Sequence, residues 1–254
     1  MLADMRGRWV KAAYVEDKEI TTPLAARIFD NRLWRPDRPL RIVMIGTDFE
    51  VRVWETLLGI PNFWNVVSNL PFILVGAAGL RYFQRDMSAG VFFLGVFLTG
   101  FSSSYYHWNP DDAGLFWDRL PMSIAFMAIL SNVVEERIDA KVGRALLWPL
   151  VLLGIVSLLV WLRTDDLRLY AWVQFFPCLV LPLIFWLFVP TYTGTCYWFA
   201  AAGWYLLAKV LEYADAAIYS ALQVMSGHPL KHVAAAGACY AILRAFQTRQ
   251  PIAS

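Results

Sequence analysis

The chain has 254 residues, 59% of them hydrophobic and only 17% charged, with a mean hydropathy of +0.49. Soluble domains carry roughly 45–50% apolar and 25% charged residues, so this composition excludes an ordinary soluble enzyme and points to a multi-pass membrane protein. A net charge of +2 gives no argument for a nucleic-acid partner.

Residues 1–61 are mixed and charged. Met1 to Val10 lacks the apolar core of a signal peptide, so insertion rests on the first true span. Thr22-Pro23 can open a short helix, and Arg35-Pro36-Asp37-Arg38-Pro39 reads as a turn-rich link. Leu40 to Gly46 is apolar but too short to cross a bilayer. We expect this part to form an amphipathic segment on the membrane surface.

Apolar runs follow at about 62–83, 88–108, 115–134, 143–162, 169–190, 195–218 and 228–246. Each is near the ~20 residues needed to cross a ~30 Å hydrocarbon core. The expected fold is therefore all-α: a single seven-helix bundle over residues 62–247, followed by a tail at 248–254. The Trp, Tyr and Phe residues suit interfacial belts. Cys178, Cys196 and Cys239 lie within apolar runs without a CxxC spacing, so they read as core thiols.

Lys and Arg near the span ends set the expected orientation. Arg81, Arg85, Arg137, Lys141, Arg144, Arg244 and Arg249 outnumber Arg52, Arg163, Arg168 and Lys231 on the other side. This puts the C-terminus in the cytoplasm and the N-terminus outside or in a lumen, without deciding between a bacterial inner membrane and an internal eukaryotic one.

Polar residues inside the spans narrow the function. Asn65, Ser68 and Asn69 share one helical face. Such a stripe either bonds neighbouring helices or supports a site from behind. Lys209, Glu212 and Asp215 recur every third residue of the sixth span. Charges there must pair or line a cavity, so a buried Lys209–Glu212 pair and a role in substrate access are both open.

The chain has three histidines: His107, His228 and His232. His107 ends the second span, and His228 and His232, four apart, open the seventh. Asp118 opens the third span, and Ser103 lies one turn before His107. If every run crosses the membrane, all of these share one membrane face. Three imidazoles can supply the ligands of an open zinc site, with one position left for water.

At these residues the chain resembles the alkaline ceramidase family, within a superfamily that includes adiponectin-receptor-like membrane proteins. The resemblance rests on Phe63-Trp64-Asn65-Val66-Val67-Ser68-Asn69, on Ser103 and His107, on Asp118-Arg119-Leu120-Pro121-Met122, and on His228-Pro229-Leu230-Lys231-His232. It covers roughly residues 48–246. It implies an intramembrane zinc on His107, His228 and His232, and hydrolysis of the ceramide amide bond to a sphingoid base and a fatty acid. By the same carry-over, Asp118 handles the proton and Ser103 sits by the reacting carbonyl.

The chain departs from the family at Arg119, where an acidic residue is frequent, and at Pro229, Leu230 and Lys231, where aromatic residues are. The family's calcium-binding acidic cluster is incomplete here. Asp48 matches the cluster's first acid and Glu50 is nearby, but Asn62 stands where the last acidic ligand is expected, and Val51 and Val53 take other ligand positions.

The leading reading is thus a zinc-dependent lipid amidase taking a ceramide-like substrate from the bilayer. Hydrolysis of another lipid bond, such as an ester, is a second reading. A seven-helix lipid sensor or transporter with a structural zinc is a third. Acyl-chain preference and oligomeric state are not written in the sequence.

Overall fold

The computed structural model describes residues 57–222 and 224–252, with Asp112 by its backbone alone, together with the backbone of four short strands ahead of them. Those strands are β1 (Leu2–Ala3), β2 (Trp9–Val10), β3 (Leu40–Ile45) and β4 (Asp48–Val53), paired in the order β2-β1-β3-β4. The apolar stretch too short to span is thus a strand, antiparallel to β4. The helix expected from Thr22-Pro23 lies outside the described residues.

From Phe63 onward the chain is helical. The elements are α1 (Phe63–Val67), α2 (Leu70–Gly79), α3 (Met87–Trp108), α4 (Asp112–Arg137), α5 (Ala140–Thr164), α6 (Arg168–Leu187), α7 (Thr195–Tyr213), α8 (Asp215–Leu222) and α9 (Gly227–Thr248). A 3₁₀ turn, Leu80–Gln84, extends α2. Aspartates cap the starts of α3, α4 and α5. Asp86 accepts from the Ala89 amide at 2.9 Å, Asp111 from Gly114 at 2.5 Å, and Asp139 from Lys141 and Val142. Each satisfies backbone donors that an α-helix leaves unpaired at its start.

Among the described residues, five segments are long and apolar enough to cross a membrane: Phe63–Gln84, Met87–Trp108, Ala113–Arg137, Ala140–Thr164 and Arg168–Leu187. Two of the seven expected runs fall short of that measure. The run at 195–218 breaks at Ala214 into α7 and α8, and α7 carries Lys209, Glu212 and several Tyr and Trp residues. Helix α9 is rich in alanine and carries His228, Lys231, His232 and Arg244. Both still pack into the bundle.

Helices α3 and α4 are central. α2 packs on α3, α5 on α4, and α7 on α9, while α9 returns against α1 and α2. Gly76 allows α2 its close approach, since a Cβ there would overlap the backbone of Phe97 on α3. The core includes fully buried Phe93, whose ring lies 5.8 Å from Phe246 on α9, and Phe246 also packs against Tyr82 at 5.4 Å. The outward faces are apolar too: Trp186 is 80% exposed and Leu179 69%. In water so much apolar surface would be costly. Facing lipid it is not, and the molecule is a membrane protein.

Candidate metal centre

Residues from both ends of the bundle sequence meet at one point. His107 occupies the last turn of α3, and His228 and His232 occupy the first turns of α9. Their candidate ligand atoms all lie within 4.8 Å of one another, and all three residues are buried. The Nε2 atoms of His107 and His228 are 3.3 Å apart. The ring of His107 lies 4.9 Å from that of His228 and 5.0 Å from that of His232.

The surroundings engage the rings of His232 and His107. Ser68 Oγ lies 3.2 Å from the Asn65 carbonyl and 2.8 Å from His232 Nδ1. When the hydroxyl gives its single proton to the carbonyl, it accepts from Nδ1–H of His232, the tautomer that leaves the Nε2 lone pair for a metal. Tyr106 packs its ring 5.2 Å from that of His107. Asn62 donates to the His107 carbonyl at 2.8 Å and adopts φ 50, a left-handed conformation that Asn tolerates better than most residues. Ser104 on α3 donates to the Val66 carbonyl at 3.0 Å.

The start of α9 is held equally firmly. The His228 amide donates to Asp215 Oδ1 at 2.6 Å and to Ser226 Oγ at 3.3 Å. Gly227 lies so close to α7 that a Cβ would overlap the Leu211 carbonyl oxygen.

The cluster opens into a cavity of about 680 Å³, which Ser103, His107, Asp118, His228 and His232 all help to line. Along α3 the lining residues Phe92, Val96, Thr99, Ser103 and His107 recur every three or four positions, so the cavity follows about 22 Å of helix at 1.5 Å per residue. Most of its wall is apolar. Ser103 is buried, and Asp118 is half-buried in the second turn of α4.

The structure therefore gathers His107, His228, His232, Asp118 and Ser103 around one cavity. Of the polar stripe, Ser68 touches a histidine, Asn69 lines the cavity, and Asn65 accepts from both Ser68 and Asn69 through its carbonyl. The Lys209–Glu212 pair is present at 2.7 Å, and Lys231 joins the same carboxylate at 2.7 Å. Asp215 does not continue that face; it starts α8 and binds the His228 amide. Of the acids considered for calcium, Asp48 and Glu50 lie on β4, with side chains outside the described residues, and the Asn62 amide is engaged on His107. Sequence reasoning missed the contributions of Tyr106 and Asp215, because nothing in their spacing points toward His107 and His228.

Three buried imidazoles converge from two helices, one of them backed by a hydroxyl, close enough together to hold a metal ion. A family model described as Ceramidase matches residues 58–195. That is more than half of the chain, which therefore belongs to the ceramidase family. It is a hydrolase of the class that cleaves the amide bond of ceramide. The matched stretch contains Ser103, His107 and Asp118 and stops before α9; the fold brings His228 and His232 to it. A comparison with curated proteins finds no match.

Proposed function

We propose that the protein is a zinc-dependent intramembrane amidase that cleaves ceramide-like lipids to a sphingoid base and a fatty acid. The observation that carries this reading is the cluster of His107, His228 and His232 at the wall of a long apolar cavity. The donor chemistry favours zinc, because calcium and magnesium prefer oxygen. The Nε2 atoms of His107 and His228 stand 3.3 Å apart, close enough for both to face one ion.

Zinc held by His107, His228 and His232 would supply a Lewis acid and lower the pKa of a bound water toward about 7. Asp118 accepts a proton from the attacking water. As the carbonyl oxygen gains charge, the Ser103 hydroxyl donates to it. Asp118 then returns its proton to the amide nitrogen, the C–N bond breaks, and the amine and acid separate. The apolar wall along α3 takes the hydrocarbon chain.

In this reading all seven helical runs cross the membrane, with the C-terminus cytoplasmic and the site on the opposite face. Asp118→Asn tests the role assignment. The variant should keep its zinc and lose about 10²–10⁴-fold in turnover. Zinc-loaded Asp118→Asn that still hydrolyses ceramide at the wild-type rate would remove Asp118 from the chemistry.

A further inference from the structure

Arg119 is more than nine-tenths buried, and it lines the same cavity. Its guanidinium lies 4.7 Å from the Tyr170 ring centroid and 5.5 Å from that of Trp161. Among the described residues these aromatic faces are its side-chain partners, and no carboxylate pairs with it. Other cations of the bundle have polar partners: Arg137, equally buried and 4.3 Å from the Phe185 ring centroid, donates to the Phe188 carbonyl and the Thr195 hydroxyl. Arg249 has Asp86 and Glu136, while Lys209 and Lys231 share Glu212.

A buried charge without a counter-ion is costly, and an ionisable group inside a membrane protein marks a substrate path. Cation–π contact offsets only part of that cost, and an aromatic face does not satisfy the in-plane N–H donors of a guanidinium. The cavity wall as a whole leans the same way. Arg119, Lys209 and Lys231 face it against Asp118 and Glu212, an excess of positive charge. Tyr170 and Trp161 pack in one buried cluster with Tyr106, whose ring lies against His107. Arg119 is thus linked to His107 through this aromatic cluster, and both residues line the same cavity.

We propose that Arg119 anchors a carboxylate subsite in this cavity, occupied by the head of a long-chain fatty acid. The inference deepens the amidase reading, because amide hydrolysis liberates this group inside the cavity. The planar fork of Arg119 suits a carboxylate bidentately, while the acyl chain lies along the apolar wall. Arg119 would then hold the acid product, and fatty acid from the bilayer would compete at the same place.

The test is equilibrium binding of palmitate and of its methyl ester to the full-length protein in detergent, stripped of metal so that no ion contributes. Wild type should prefer palmitate by about tenfold or more, as a charge-assisted hydrogen bond supplies. Arg119→Gln should abolish that preference and leave ester binding intact. Arg119→Lys should retain part of it, because the charge stays and the fork is lost. Ester binding serves as the control for folding in each variant. An undiminished palmitate preference in Arg119→Gln, or no preference in wild type, would overturn the proposal. Failure of the amidase reading would show separately, as absent ceramide turnover in zinc-loaded wild type.

Discussion

Ser68 Oγ and His232 Nδ1 lie 2.8 Å apart, although 164 residues separate them in the chain. The contact joins the end of α1 to the second turn of α9. It ties the ring of His232, one of the three candidate metal ligands, to the end of α1. Removing such a partner commonly costs 10–100-fold in metal affinity. Ser68→Ala should therefore weaken zinc binding by about that factor, measured by competition with a chelating dye, with helix content unchanged. Equal affinity in the variant would show that His232 is oriented by packing alone.

The three histidines should behave as one unit. His107→Ala, His228→Ala and His232→Ala should each reduce bound zinc from one per chain to a small fraction of that, by elemental analysis of the purified protein. The double variants should be no worse than the singles. Zinc should also raise the thermal unfolding temperature of wild type, because a ligand that binds only the folded state stabilises it. No such rise should occur in the variants.

Gly227 is the point where α9 meets α7. A Cβ there would press on the Leu211 carbonyl and lie 3.0 Å from Asp215 Cα. Overpacking of this kind typically costs about 1–3 kcal/mol. Gly227→Ala should lower thermal stability accordingly. It should also weaken zinc binding, since the displaced backbone carries His228. A variant as stable as wild type and with full zinc affinity would mean that α9 can shift without cost.

The far end of the bundle offers a contrast. Arg249 pairs with Glu136 at 3.0 Å and Asp86 at 3.2 Å. The segment that follows bonds to the α6–α7 connection through Thr193 to Gln250 and Ile252 to Thr191. Asp86 and His107 flank opposite ends of the 22-residue α3, about 30 Å apart at helical rise. Arg249→Ala should destabilise the fold by about 1–3 kcal/mol by stripping partners from partly buried carboxylates. Zinc affinity should stay as in wild type. Loss of zinc in this variant would show that the two ends are coupled.

Much of this arrangement is legible in the chain because lipid imposes length on every crossing. The apolar runs at 88–108, 143–162 and 228–246 correspond to α3, α5 and α9 within a few residues. Once the runs alternate, His107, Asp118, His228 and His232 must fall on one face, with no knowledge of packing. What escaped is tertiary. The contact of Ser68 with His232 depends on how α9 returns against α1. The break at Ala214, which frees Asp215 to bind the His228 amide, leaves no Gly or Pro signal. Arg119 stood out only as a departure from a family pattern, because its setting between Tyr170 and Trp161 requires α5 and α6 to pack on α4. The strand pairing of Leu40–Ile45 with Asp48–Val53 was hidden by an apolar stretch too short to classify by periodicity.

The most direct test of the account is mass spectrometry of the products formed when the purified protein meets ceramides of several acyl lengths. Metal-stripped and zinc-restored samples are run side by side. The account predicts free sphingoid base and fatty acid from the zinc-loaded enzyme, loss of both on chelation, and their return when zinc is added. Zinc-loaded protein that releases neither product from any ceramide would contradict it.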